Sequence, residues 1–392
     1  MNHAEIQNLA QDNREGLVAF AQKLVQTPSL SGQEEGLAAL IQAEMECLGY
    51  DEVWVDEVGN VIGCIAGAGG PSLMLNGHMD HVDAGDPAHW SYPPYGGEIH
   101  DGELWGRGVA DMKGALAAMV YAGGLVRSIK SSPQGDLYVT AVVQEEVGGL
   151  GAQHLARNLP VARAIVGEAS GNELRRGHRG RIELIVHFEG RSVHASMPDL
   201  GINPHFSMAQ FLTNLPALHM AKDSAYGPST VAPTWVVSEP KGANITPGAL
   251  RLVLDWRNVP AESPDEILAK LEALLARCLR SGCRGRVELA KKELVSYTGL
   301  QISYPDIFPS FTTEPDHPWL AEAQEILTMA LGREIEVGTW RFATDGGHFA
   351  AAGTTVLGFG PGDDRVVHTV EERLSLEQLV ESVVGYVALS LA

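Results

Sequence analysis

The sequence predicts an α/β fold: a mixed-sheet α/β/α domain into which a ferredoxin-like α+β domain is inserted. Three observations point there. Helical runs alternate with short apolar strands from residue 14 to 167, the pattern of a sheet covered on both faces. From residue 178 the order becomes β-α-β-β-α-β, the split ferredoxin-like unit. After residue 319 the α/β texture resumes, and a chain of 392 residues has room for two domains.

Residues 14–27 and 34–48 carry helical periodicity, and Ser31 is a plausible cap for the second helix. Runs 52–56, 60–66, 72–76 and 137–144 are β-rich, 111–128 is a helix rich in Ala, Leu and Met, and 162–167 is a further strand. The insert reads as strand 181–189, helix 203–216, strands 230–238 and 249–257, helix 263–280 and strand 285–294. Its length of about 115 residues suffices for an independent domain. The Pro- and aromatic-rich passage 298–319 reads as a return linker, followed by helix 319–331, strand 353–359 and helix 375–391. The expected division is 1–177 with 297–392 for one domain and 178–296 for the other.

Hydrophobic residues make up 45% of the chain, enough to bury large cores. Lys and Arg number 28 against 49 Asp and Glu, a net charge of −21 that disfavours nucleic acid and anionic membrane as partners. Cys47, Cys64, Cys278 and Cys283 have neither metal-type nor framework spacing and read as reduced thiols of a cytoplasmic protein. The first residues, MNHAEIQNLAQDNREG, show no basic region followed by an apolar one, so no signal peptide is expected. The most apolar helical stretch, Gly114 to Val126, is too short and too Gly-interrupted to span a bilayer.

Five imidazole or carboxylate residues stand at the ends of apolar runs or in Gly-rich turns: His78, Asp111, Glu146, Glu168 and His368. This donor set suits zinc, with cobalt or manganese as substitutes, and ligands of such sheets gather at the carboxyl ends of strands. One such segment would mean little. His78 alone would be a turn histidine beside a capping aspartate, and Asp111 alone a helix N-cap. Five in order predict one site for two divalent ions. Asp80 lies on the same side of the strand end as His78, placed to accept a hydrogen bond from its second ring nitrogen. Asp111 opens a helix and is placed to bridge both ions. Glu145 and Glu146 are adjacent like charges, tolerable beside a cation. Because neighbours diverge, Glu146 is assigned as ligand and Glu145 as general acid/base. Two ions roughly 3.5–4 Å apart bind a bridging hydroxide and polarise a carbonyl, while Glu145 carries a proton to the leaving nitrogen. The reaction so implied is hydrolysis of an amide.

These motifs resemble the co-catalytic zinc amidohydrolases and metallopeptidases that include acetylornithine deacetylase, succinyl-diaminopimelate desuccinylase and carboxypeptidase G. GHMDHVD is similar to the family's first motif, GRGVADMKG to its second, QEEVGG to its third, SVHASMPDLGINP to its lid motif and GFGPGDDRVVHTVEE to its last. The runs GDPAHWSYPP, VSYTGLQ and FGPGDD are most similar to an uncharacterised branch linked to selenium metabolism. The resemblance implies that His78 and Glu168 hold one ion, Glu146 and His368 the other, and that Asp111 bridges them across a cis peptide bond to Met112. It implies a homodimer formed through the insert, with His194 reaching the partner subunit's site to polarise the substrate carbonyl. Arg257 and Asn244 would bind the substrate carboxylate or line the cleft. The implied substrate is an N-acyl amino acid or similar small amide; a dipeptidase, carboxypeptidase or N-carbamoyl amino acid hydrolase on the same site is the alternative. A catalytically silent metal-binding scaffold is the rival of a different class. His81, the run FATDGG (342–347) and His348 depart from the family text, and support of the ligands and plain packing both remain open for the two histidines.

Overall fold

A computed structural model describes residues 3–129 and 132–392. The chain divides into two compact units. Met1–Gly177, Glu293–Ile302 and Phe311–Ala392 form the first, and His178–Lys292 with Ser303–Ser310 the second.

The first unit is built on a mixed sheet. From one edge its strands are Glu52–Val55, Val61–Ile65, Leu137–Val142, Leu73–His78, Arg163–Val166, Thr355–Gly358, Leu174–His178 and Phe311–Thr312, with Val337–Trp340 also paired to Leu174–His178. The four strands Leu137–Val142, Leu73–His78, Arg163–Val166 and Thr355–Gly358 are parallel, whereas the edge hairpin is antiparallel. Leu73–His78 is buried at every position, as a central strand covered on both faces must be. The register sets His78 opposite Val142, Asn76 opposite Val166 and Val166 opposite Gly358, so the four parallel strands end together.

Helices cover both faces. On one, Ala152 and Leu155 of Leu150–Asn158 and Phe349 of Gly346–Ala351 pack with Met74, Val142, Val166 and Val356 in one core cluster. On the other lie Gly114–Ser128 and Leu376–Leu391, the first buried along almost its whole length. Gly77 lets the first of these helices approach: a Cβ there would stand 2.9 Å from Leu116 Cδ2. Among the described residues one helix, Val109–Ser128, is long and apolar enough to cross a membrane, and it is entirely buried.

The second unit has the strand order Thr230–Glu239, Ala249–Arg257, Arg181–Glu189, Arg284–Leu289, all antiparallel. Burial alternates strictly along Arg181–Glu189, so one face of the sheet is packed. Leu184, Val186 and Phe188 meet Phe211 of helix His205–Asn214 and Leu271 and Leu275 of helix Pro264–Cys278. A capping box starts the second helix: Ser263 Oγ accepts from the Glu266 N–H, and Glu266 returns a carboxylate to the Ser263 N–H. This is the ferredoxin-like arrangement that the element order predicts.

Several local expectations are corrected. Strand 285–294 is broken into Arg284–Leu289 and Lys291–Val295. Passage 298–319 is not a plain linker, because Gln301–Pro305 pairs with Lys291–Val295 and Ile307 pairs with Ile182. Ser31 does not cap the helix Glu35–Cys47; its hydroxyl donates to Asp80 Oδ2 at 2.6 Å instead. The four cysteines are free, so that reading is not among the corrections.

Candidate metal centre

The common end of the parallel strands gathers the sequence-predicted ligands. His78 closes its strand, and Glu146 and Glu168 follow the strands Leu137–Val142 and Arg163–Val166 by a few residues. His368 lies in the loop after Thr355–Gly358, at a left-handed φ of 62°. Asp111 sits in the irregular turn Val109–Lys113 that leads into the helix Gly114–Ser128, with extended backbone (φ −133°, ψ 88°). The Asp111–Met112 peptide bond is cis.

Asp111 turns its two carboxylate oxygens to two different histidines. Oδ1 is 2.9 Å from His78 Nε2, and Oδ2 is 3.0 Å from His368 Nε2. Glu168 Oε1 stands 3.5 Å from the same His78 nitrogen, and Glu146 Oε1 3.1 Å from the same His368 nitrogen. Two triads result, His78–Asp111–Glu168 and Asp111–Glu146–His368, each with its ligand atoms within 4.8 Å of one another. The first is buried; in the second, His368 leaves 47% of its side chain exposed.

The donors fit a pair of divalent ions. Asp111, Glu145 and Glu168 are buried carboxylates in one pocket of low dielectric, a grouping that like charge disfavours unless cations stand between. The protons of the cluster adjust accordingly. Burial drives the Glu145 carboxyl well above the ordinary carboxylate range. Burial and the adjoining Asp111 push Glu168 up to about 7 and raise Glu146. Hydrogen bonds to Asp111 and Glu146 raise His368 to about 10. Burial disfavours a charged His78, but its bonds to Asp111 and Glu168 prevail and hold it well above its usual value. Against burial, the two histidines keep Asp111 below the usual carboxylate range.

Asp80 meets His78 with a different atom from the one expected. His78 Nδ1 donates to the Asp80 main-chain carbonyl at 2.9 Å, while the Asp80 carboxylate is 3.6 Å from that nitrogen, too long for a good hydrogen bond. The carboxylate is already taken. It accepts the Glu145 N–H at 2.9 Å, the Glu146 N–H at 3.2 Å and the Ser31 hydroxyl. Asp80 thus orients the Glu145–Glu146 turn directly and His78 through its own carbonyl. His81 is a brace: Nε2 accepts the Ser29 N–H at 3.0 Å, and Nδ1 donates to the Val82 carbonyl at 2.8 Å. Burial lowers it to about 4, so it stays neutral and cannot repel an adjacent cation. His348 packs against Gly149, where a Cβ would lie 2.5 Å from its Nε2; Gly149 also needs its left-handed φ of 72°.

Sequence reasoning missed the groups that hold the turns. Glu372 Oε1 accepts the N–H groups of Ala110 and Asp111, and its Oε2 pairs with Arg107. Asn60 Oδ1 accepts the Val143 N–H at 3.0 Å. Asp345, buried and pushed up to about 7 by that burial, accepts from Asn76 Nδ2 at 3.2 Å. FATDGG marked the place of Asp345 in the sequence, but nothing local marked Asn60 or Glu372.

The remaining candidates lie in the second unit. His194 is exposed on a short strand whose partner residue is Ile245, with its Nδ1 2.7 Å from Ser196 Oγ. The Asn244 carbonyl accepts the Ala195 N–H at 2.9 Å, so Asn244 and His194 share one ladder. Arg257 ends the strand Ala249–Arg257 in a two-pronged pair with Asp255, at 2.7 and 3.1 Å.

A covered mixed sheet with two imidazole–carboxylate triads at its parallel strand ends defines a candidate dinuclear metal hydrolase. The chain belongs to peptidase family M20/M25/M40, whose model matches residues 74–392. It is 29% identical over 389 residues to the uncharacterized protein YgeY of Escherichia coli strain K12, covering 98% of this chain and 96% of that one. Its fold is similar to that of aminopeptidase PepT from Bacillus cereus ATCC 10987 (TM-score 0.76, 19% identity, 96% of this chain and 98% of the other). It is similar also to the YXEP protein of Bacillus subtilis, a dinuclear metal binding peptidase from the M20 family (TM-score 0.71, 14% identity, 97% and 98%).

Proposed function

We propose that this member of the peptidase family hydrolyses the amide bond of an N-acyl amino acid or a similarly small amide, in the manner of the deacetylase, desuccinylase and carboxypeptidase G enzymes its motifs resemble. The observation that carries the reading is the Asp111 carboxylate, which faces His78 with one oxygen and His368 with the other. His78 and Glu168 would hold one ion and Glu146 and His368 the second, with Asp111 shared. A pair of divalent ions, zinc first and cobalt or manganese as substitutes, would supply Lewis acidity toward the scissile carbonyl and an attacking water. Glu145 takes a proton from that water as its oxygen bonds to the carbonyl carbon, and returns it to the nitrogen as the C–N bond breaks. The second water proton follows to the nitrogen, and the products are a carboxylate and a protonated amine. Burial suits Glu145 to the exchange, because it removes the preference of the carboxyl for its charged form. His194 polarises the carbonyl oxygen from the partner subunit of a homodimer, and Arg257 exchanges its Asp255 pair for the substrate carboxylate.

Dipeptide hydrolysis is the second reading. It is favoured by the likeness in fold to proteins described as an aminopeptidase and a di-peptidase. The deciding experiment is turnover by the zinc-, cobalt- and manganese-loaded protein on a panel of N-acyl amino acids, N-carbamoyl amino acids and dipeptides. Preferred cleavage of the acyl series supports the first reading, and preferred cleavage of dipeptides the second. Full metal with no turnover on any of them would leave a silent metal-binding scaffold.

A further inference from the structure

The strand Leu137–Val142 ends two residues short of Gln144, and the chain there leaves the ladder to carry Glu145 and Glu146 into the metal centre. Four successive N–H groups lose strand partners at this point. Each finds a side-chain oxygen. Val143 donates to Asn60 Oδ1 at 3.0 Å, Gln144 to Glu34 Oε1 at 3.2 Å, Glu145 to Asp80 Oδ1 at 2.9 Å and Glu146 to Asp80 Oδ2 at 3.2 Å. Asn60, Glu34 and Asp80 are all fully buried. Gln144 is held with a left-handed φ of 56°, an arrangement that a non-glycine residue keeps only when its surroundings fix it.

We infer that Glu34 is a positioning residue of the metal centre, setting the Glu145–Glu146 turn by holding the Gln144 N–H. Its Oε1 also accepts the Gly32 N–H at 2.9 Å, which ties the turn to the segment Ser29–Glu34. That segment is itself anchored: Ser29 Oγ donates to the Met79 carbonyl and Ser31 Oγ to Asp80 Oδ2. One segment therefore braces the His78 strand end and the Glu146 turn together. Nothing here requires Glu34 to be charged. Burial, with Asp80 beside it, pushes its carboxyl up to about 7, so an amide of the same length mimics a form the site already holds.

The inference rests on the metal centre proposed above and is tested by Zn2+ titration, which needs no substrate. Calorimetry on metal-free wild type should resolve two binding steps. Glu34→Gln, which keeps an oxygen at the same reach, should hold both within about 3-fold. Glu34→Asp keeps the charge but is one methylene short, and Glu34→Met has no acceptor; both should weaken the step that uses Glu146 by about 10–100-fold and leave the other within about 3-fold. The same variants should lose kcat with little change in KM on whichever substrate the wild type cleaves, because the turn also carries Glu145. Should Glu34→Met fail to fold, Glu34→Asp against Glu34→Gln still decides. Normal affinity in Glu34→Asp, or equal weakening of both steps in parallel with lost secondary structure, overturns the inference. A wild type that binds two zinc ions and hydrolyses nothing refutes the functional reading and leaves Glu34 in place. A wild type that binds no zinc overturns both.

Discussion

Glu372 holds the main-chain N–H of Asp111 at 3.3 Å, from four residues beyond His368 in the chain. The same carboxylate pairs with Arg107 at 2.5 Å, and both side chains are almost wholly buried. The pair therefore links the His368 loop to the Asp111 turn. Burial pushes Glu372 up to about 7 against the pull of Arg107, so its ionised form is best examined near pH 8. There Arg107→Met should destabilise the protein by about 3–5 kcal/mol in urea unfolding, because the buried carboxyl must then stay charged without its partner or take up a proton. Adding Glu372→Gln to that variant should recover at least about 1 kcal/mol, since the amide still accepts both N–H groups. A single substitution costing under about 1 kcal/mol would show that the pair is not closed to water.

Removal of the shared ligand should differ from removal of an unshared one. Asp111 belongs to both triads and His368 to one. Asp111→Ala is expected to lose both ions by metal analysis after dialysis, and His368→Ala only one. Equal loss in the two variants would mean that the triads do not bind independently.

Glu145→Gln should retain both ions and lose kcat by about 100–10,000-fold, the range for a removed proton-transfer group. Glu145 has no place in either triad, so retention of metal separates its role from that of Glu146. Near-normal kcat with full metal would transfer the proton chemistry to another group.

How much of this was legible in the sequence depends on how far each contact reaches. The five candidate ligands stood out because each follows its own apolar strand or Gly-rich turn, and the fold brings them into two adjoining clusters. The second unit was legible because its element order, β-α-β-β-α-β, differs from the α/β text on either side. The acceptors that fix the turns were not. Glu34 meets Gln144 across 110 residues and Glu372 meets Ala110 across 262, and no local pattern marks an acidic residue as one that caps a distant turn. Ser31 misled for the same reason: its hydroxyl answers to Asp80, 49 residues away. Leu174–His178 was missed because its text, LRRGH, is polar for a strand, and Gly346–Ala351 because six residues carry too little periodicity.

His81 should give stability a pH signature. The unfolded imidazole binds its proton near 6.5 and the folded one only near 4, chiefly because burial, with Lys113 close by, disfavours the charge. Between those values the unfolded state holds more protons, so stability falls as pH drops from 6.5 toward 4. His81→Gln keeps an acceptor for the Ser29 N–H and removes the titration. Relative to that variant the wild type should lose about 2–3 kcal/mol across the window. Parallel stability curves would mean that the ring is protonated in the folded protein.

The homodimer proposed above makes its own demand on the second unit. The strand Thr230–Glu239 stands at the edge of its sheet, paired only with Ala249–Arg257 among the described residues, and it exposes Trp235 at 66% and Val236 at 42%. An unpaired edge with an exposed indole is a template for a second copy of itself under two-fold symmetry. Light scattering should therefore find a dimer, and Trp235→Lys should shift it toward monomer. The same symmetry permits a test of His194. Glu145→Ala and His194→Ala are each expected to be inactive. Mixed with subunit exchange, half the dimers are hybrid, and each hybrid has one site with Glu145 from one chain and His194 from the other. Activity should return to about one quarter of wild type. Exchange confirmed by tagged subunits, with no activity regained, would assign His194 to its own chain or to no catalytic role.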